Sequence, residues 1–347
     1  MNTTVRFDGL GLSFDIGNIA FQFNIGGHTF TIYWYGIIIA AGFALAIIYG
    51  LKRSKDFHIK TDPMIDVIIG GAIGSVICAR LYYVLFSWDM YKNDWTRIFA
   101  IHEGGLAIYG GIIGAFLCGW LMCKWRKINV LDMFDVGALG FLIGQGIGRW
   151  GNFFNQEAYG TTTNLPWAMK SDKIWNELTL QSQRLESQGI HIDLDALGVH
   201  PTFLYESLWC LLGFFLLHYI SKKYRKFSGQ IVLMYGVWYG VERFFVEGLR
   251  TDSLYIGDTV LRASQLLSLV IVIACVIMLL VMFRRAKEKD REKEYIPVMA
   301  AENEANNTPE TSVVMTENKT SEQTEAEAHT PAKSNDEDDK NTENKKD

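Results

Sequence analysis

Seven long apolar runs constrain this chain more than any other feature. They lie at about 31–51, 65–86, 106–123, 132–149, 202–220, 230–248 and 264–283. Each approaches the about 20 residues that a helix needs to cross the hydrocarbon core of a bilayer. Backbone polar groups in lipid must be satisfied within their own segment, so such runs predict helices and not open sheet. The expected fold is an all-α polytopic membrane protein of about seven transmembrane helices.

Short loops give an orientation. Lys52, Arg53, Lys55 and Lys60 follow the first run, and Lys124, Arg126 and Lys127 follow the third. Lys222, Lys223, Arg225 and Lys226 follow the fifth, and Arg284, Arg285, Lys287 and Lys289 the seventh. The alternate loops are mixed, with Asp89, Lys92, Asp94, Arg97 and Glu103 in one and Arg250, Asp252, Asp258 and Arg262 in another. Positive loops stay in the cytoplasm, so the N-terminus is expected outside and the C-terminus inside.

Residues 1–30 read as a surface lead-in of turns and strands, with no removable signal peptide. The external loop at about 161–199 is too small for an enzyme domain and reads as a cap or arm. Residues 1–290 form the expected membrane domain. Residues 291–347 carry a net −8 against −5 for the whole chain. This acidic tail lacks a core-forming composition from about 297 and is expected to be disordered in the cytoplasm. Chain acidity therefore says nothing about a partner, and no nucleic acid is expected. The five cysteines all lie in apolar runs without CxxC or metal-ligand spacing, so they read as small buried hydrophobes, with no metal and no cofactor implied. Glycines four apart, as in Gly70/Gly74, Gly110/Gly114, Gly140/Gly144/Gly148 and Gly236/Gly240, read mainly as helix-packing seams.

One stretch places costly polar groups at the end of a run: Gly148-Arg149-Trp150-Gly151-Asn152-Phe153-Phe154-Asn155-Gln156-Glu157-Ala158-Tyr159-Gly160. With the orientation above, Arg149 and Asn152 reach the outer face. So do Arg243, Glu247 and Arg250 of the sixth run, and so do Tyr35, Tyr109, His200, Tyr205 and Glu206 at the starts of others. Tyr239, Arg243, Glu247 and Arg250 share one helical face. Glu247 can pair with Arg243 or Arg250, and Glu157 with Arg149. The alternative for Glu206 is a bond to a backbone group, and Arg80 reads as a partner in an internal ion pair. Two guanidinium groups on two helices suit a phosphodiester. The residues alone give an outer-leaflet lipid-phosphate site, belonging to an enzyme or to a transporter or channel for an anionic lipid or solute.

The run Gly148 to Gly160 resembles the signature of prolipoprotein diacylglyceryl transferases. Ile32 to Gly36, Glu103 to Gly111, His200 to Glu206 and Glu242 to Glu247 resemble further family segments in the same order, and the likeness covers about 20–285. The resemblance implies a multi-pass enzyme of the bacterial cytoplasmic membrane with its active site toward the outer leaflet. Its implied substrates are phosphatidylglycerol and a prolipoprotein signal peptide with a lipobox cysteine. The diacylglyceryl group would pass to the cysteine sulfur as a thioether, with release of glycerol phosphate. By similarity Arg149 binds the head group and Arg243 is a second essential arginine. Asn152, Glu157, Gly160, Tyr35, Tyr239 and Glu247 match other positions tied to activity. Asn155 lies within the same run as a further binding candidate. Tyr109 stands where many relatives carry histidine, so the proton acceptor is open among Tyr109, His200 and Glu157.

Overall fold

The computed structural model describes residues 3–92, 94–100, 104–187, 189–251 and 262–306. The chain divides into two units, Met1–Lys293 and Glu294–Asp347. The tail beyond 306 lies outside the described residues, as do Glu103, Asp252 and Asp258 of the loops read for orientation.

The apolar runs form α1 (Trp34–Arg53), α2 (Thr61–Phe86), α3 (Ile108–Trp125), α4 (Val130–Asn155), α6 (Thr202–Lys223), α7 (Gln230–Leu249) and α8 (Ala263–Asn306). The intervening α5 spans Asp172–Ser187 and is amphipathic, burying Ile174, Leu178 and Leu185. Among the described residues, six helices are long and apolar enough by themselves to cross a membrane. The expected seventh, α7, differs because it carries Glu242, Arg243 and Glu247. Arg243 and Glu247 are paired with each other and Arg243 faces Glu206 of α6, as described below. The helices leave large apolar side chains facing outward, such as Leu85 at 70% and Phe86 at 76% exposure. A surface of that kind is suited to lipid and not to water.

Local chemistry sets the helix ends. Asn129 caps α4, its side-chain oxygen accepting from Leu131 N–H at 3.0 Å. Asp135 of α4, fully buried, accepts from the N–H groups of Gly229 and Val232 at 2.9 Å each and so caps the start of α7. Arg225 neutralises it at 2.9 Å and also pairs with Asp132. One end of α4 and α7 is thereby fixed by a fully partnered buried charge cluster. Nearer the other end, Trp209 and Trp238 stack at 4.5 Å, and each indole N–H donates to the other's carbonyl at 3.1 Å. This reciprocal pair ties α6 to α7.

The glycine seams divide into two kinds. A side chain on Gly74 or Gly114 would collide with the facing helix, at Cys118 and Cys78 respectively, so α2 and α3 pack through them. Gly236 and Gly240 face Cys275 and Val272 of α8 in the same way. Gly144 meets nothing within 4 Å, and together with Gly140 and Gly148 it lines a cavity. The packing reading holds for Gly140 and Gly148, which meet Ala46 and Ile39 of α1, while at Gly144 the missing side chain leaves space.

Among the described residues, the hydrogen-bond partners of Arg80 of α2 are backbone carbonyls and not the expected ion-pair carboxylate. Its side chain donates to the carbonyls of Ile98 (2.8 Å), Gly104 (2.6 Å), Gly105 (2.9 Å), Arg97 (2.6 Å) and Ala100 (3.3 Å). The connection from α2 to α3 folds around this one buried guanidinium.

The polar ends are covered by short strands. β1 (Thr3–Phe7) pairs with β2 (Leu12–Ile16), and β3 (Ile19–Ile25) pairs with β4 (His28–Tyr33), both antiparallel. The loop read as a cap contributes β5 (Thr162–Thr163), β6 (Lys170–Ser171), α5 and β7 (Gly198–Val199). β6 adds to β1 through Val5↔Ser171, giving a sheet ordered β2-β1-β6. Val5, Met169, Ile174, Leu178 and Val199 share a core with Phe153 of α4 and Phe203 of α6. The cap is thus packed directly over the end of α4.

Candidate active site

The end of α4, the start of α6 and the end of α7 converge on two arginines. Arg149 forms an ion pair with Glu206, whose side chain is 2% exposed. The other oxygen of Glu206 lies 3.8 Å from Arg243, and Arg243 pairs with Glu247 at 2.7 Å. Glu206 is therefore a shared buried carboxylate between the arginines and not a backbone-bonding residue. Only its place at the start of an apolar run hinted at this. The expected Arg243–Glu247 pair forms across one helical turn.

Glu157 is held elsewhere than expected. The chain leaves α4 through Gln156 at φ 52° and, after Glu157, Ala158 at φ 57°. Left-handed backbone at non-glycine residues is costly and must be held in place by its surroundings. Here Gln156 is buried and accepts from Ser171 Oγ at 2.6 Å, while Thr202 Oγ1 donates to the Ala158 carbonyl. The turn carries Glu157 back over its own helix, where Oε1 accepts from Asn152 at 3.0 Å and Asn155 at 3.2 Å. Glu157 thus pairs with the two asparagines instead of Arg149.

Gly160 joins three elements. Its N–H donates to the His200 carbonyl at 2.9 Å, and it bridges to Arg250 at the end of α7. A Cβ there would lie 2.8 Å from His200 Cβ. His200 Nδ1 is 3.1 Å from the Tyr205 hydroxyl, which already accepts from Trp167 Nε1 at 2.7 Å. The imidazole tautomer sets which of the two donates across this contact. Burial pushes the His200 pKa below the usual histidine value.

Tyr35 of α1 lays its ring over Gly151, 2.7 Å from where a Cβ would stand. Tyr239, one turn before Arg243, stacks on Tyr235 at 5.8 Å, and Tyr235 donates to Gln145 at 3.1 Å. Tyr109, in the first turn of α3, is 63% exposed. Among the described residues it shares no hydrogen bond or ring contact with the arginines or Glu157.

Arg149, Asn152 and Tyr35 stand at one end of a cavity of about 610 Å³. Its walls run along α1, α2, α3, α4 and α7 and are apolar, with Ile39, Phe43, Met64 and Phe141 among them. Cationic and amide groups at the mouth of a long apolar cavity match an amphiphile with an anionic head.

The comparisons agree with this geometry. A family model described as prolipoprotein diacylglyceryl transferase matches residues 20–281. Phosphatidylglycerol–prolipoprotein diacylglyceryl transferase of Finegoldia magna is 46% identical over 247 residues, covering 71% of this chain and 90% of that protein. The protein of the same name from Clostridioides difficile is 42% identical, with 71% and 89% covered. That from Limosilactobacillus reuteri is 40% identical, with 78% and 93% covered. With the family pattern spanning the helices and strands that build the arginine site, this chain is a member of the prolipoprotein diacylglyceryl transferase family.

Proposed function

We propose that this multi-pass membrane protein transfers the diacylglyceryl group of phosphatidylglycerol to the lipobox cysteine of a prolipoprotein. The observation that carries the reading is Arg149 at the polar end of the apolar cavity, joined through the buried Glu206 to Arg243 of a separate helix. In this reading the acyl chains lie along the glycine-lined face of α4 and the phosphate meets Arg149 and Arg243. The cysteine sulfur attacks the glycerol carbon, a C–S bond forms, and the C–O bond to phosphate breaks. Its electron pair goes to the phosphate oxygen, and the product is glycerol phosphate. The guanidinium groups hold the charge that develops on that oxygen.

A free thiol has a pKa of about 8.5, so an acceptor for its proton is needed. Glu157 is the better-supported acceptor. Its Oε1 is fixed by Asn152 and Asn155, and among the described residues no donor reaches Oε2. His200 is less suited, because Nδ1 is engaged by Tyr205 and burial disfavours the imidazolium that proton capture would form. Tyr109 is less suited too, because it lines neither cavity and makes no contact with the arginines among the described residues. The loop charges favour a site facing the outer leaflet of the bacterial cytoplasmic membrane. Membership of this family leaves the transporter reading without support.

The test uses purified protein in detergent with phosphatidylglycerol and a cysteine-bearing signal peptide. Wild type should lipidate the peptide and release glycerol phosphate in equal amounts. Arg149→Ala should do neither while remaining folded. Lipid binding by wild type without transfer would sink the transferase reading.

A further inference from the structure

The last turns of α4 have two different faces. Arg149 and Asn152 turn to the lipid-sized cavity. Trp150, Phe153 and Phe154 turn to a second cavity of about 450 Å³, within the ordinary range of ligand sites. Its opposite wall is the N-terminal ribbon, through Leu12, Phe14 and Ile16 of β2. Every other residue lining it outside the ribbon neighbours the arginine site. Phe203 and Leu204 precede Tyr205 and Glu206, and Trp167 donates its indole N–H to Tyr205. No charged or polar side chain lines it.

The second cavity is open to an apolar occupant. Leu10, Leu12 and Phe14 are 52%, 48% and 46% exposed although they line it. The reaction proposed above has two substrates that must meet at one carbon. The lipid has the charged cavity, and a wall without a cation offers nothing to its phosphate. The second substrate must bring a thiol to the same level of the membrane, which favours an apolar segment around the cysteine because burying polar groups there is costly. One further feature favours a peptide over an acyl chain. β2 is the outer strand of the β2-β1-β6 sheet, and its residues 12, 14 and 16 all face the cavity. An outer strand offers backbone N–H and C=O groups to an added extended chain, whose alternate side chains then enter the pocket beside it.

We propose that this cavity docks the acceptor peptide, taking apolar side chains next to its cysteine and pairing its backbone with β2. The lipid and the peptide then approach the arginine site from opposite faces of α4. The proposal rests on the transferase reading.

The test separates the two. Leu10→Trp and Leu12→Trp fill the cavity from half-exposed positions, so neither removes core packing. With both substrates titrated, each variant should raise the KM for the peptide at least tenfold and leave the KM for phosphatidylglycerol unchanged. A raised lipid KM with an unchanged peptide KM would give the cavity to an acyl chain and overturn the proposal, as would no change in either. A photoreactive leucine placed beside the cysteine of the peptide should label wild type within residues 10–16, and labelling confined to other segments would also overturn it. Labelling there by a wild type that transfers nothing would uphold the docking site and defeat the transferase reading.

Discussion

Arg149 of α4 is ion-paired with Glu206 of α6, and Glu206 is almost completely removed from solvent. The same carboxylate faces Arg243 of α7. One acidic side chain thus faces two cations from different helices. Breaking a buried pair by removing one partner costs about 3–5 kcal/mol, because the other charge is left uncompensated. Glu206→Ala should therefore lower the thermal midpoint in detergent and abolish transfer. Glu206→Gln should recover stability in part without recovering transfer.

Arginine at 149 supplies shape as well as charge. A lysine there keeps the cation and loses the planar fork of donors. Arg149→Lys should reduce kcat by about 10²–10³, the scale of a lost donor to developing negative charge. Steady-state glycerol phosphate release measures this. Near-native turnover would mean that charge alone suffices.

Two glycines of similar sequence spacing should respond in opposite ways. Gly144 opens on the lipid-sized cavity, and Gly74 lies against Cys118 of the facing helix. Gly144→Leu should fold normally, yet select phosphatidylglycerol with shorter acyl chains in a competition assay. Gly74→Leu should fail to give a monodisperse protein on size-exclusion chromatography.

Acidification should weaken the cap at His200. Its folded pKa lies below the usual value because burial disfavours the imidazolium. The unfolded chain then binds more protons as pH falls through about 6.5, the unperturbed histidine value. Stability is fully present above that value and declines below it, levelling off below the folded pKa. Replacing His200 with Gln should flatten this part of a stability profile measured between pH 5 and pH 8 by thermal unfolding. An unchanged slope would exclude His200 as its source.

The helices were legible because an apolar run of membrane length has few other outcomes. The Arg243–Glu247 pair was legible because four residues is one helical turn. The bridging position of Glu206 was not, since it depends on how closely α4, α6 and α7 approach. The partner of Glu157 was hidden for a different reason. It follows from left-handed backbone at Gln156 and Ala158, two residues whose types do not advertise it. The cap was legible as a small loop domain, but its shared sheet with residues 3–7 required a pairing between distant parts of the chain.

Arg80 makes the connection between α2 and α3 an electrostatic clasp. A lysine has three donors on one atom and cannot reach the five carbonyls that Arg80 gathers. The turn that presents Tyr109 thus hangs from a single side chain of another helix, and its reach toward the lipid is set from within α2.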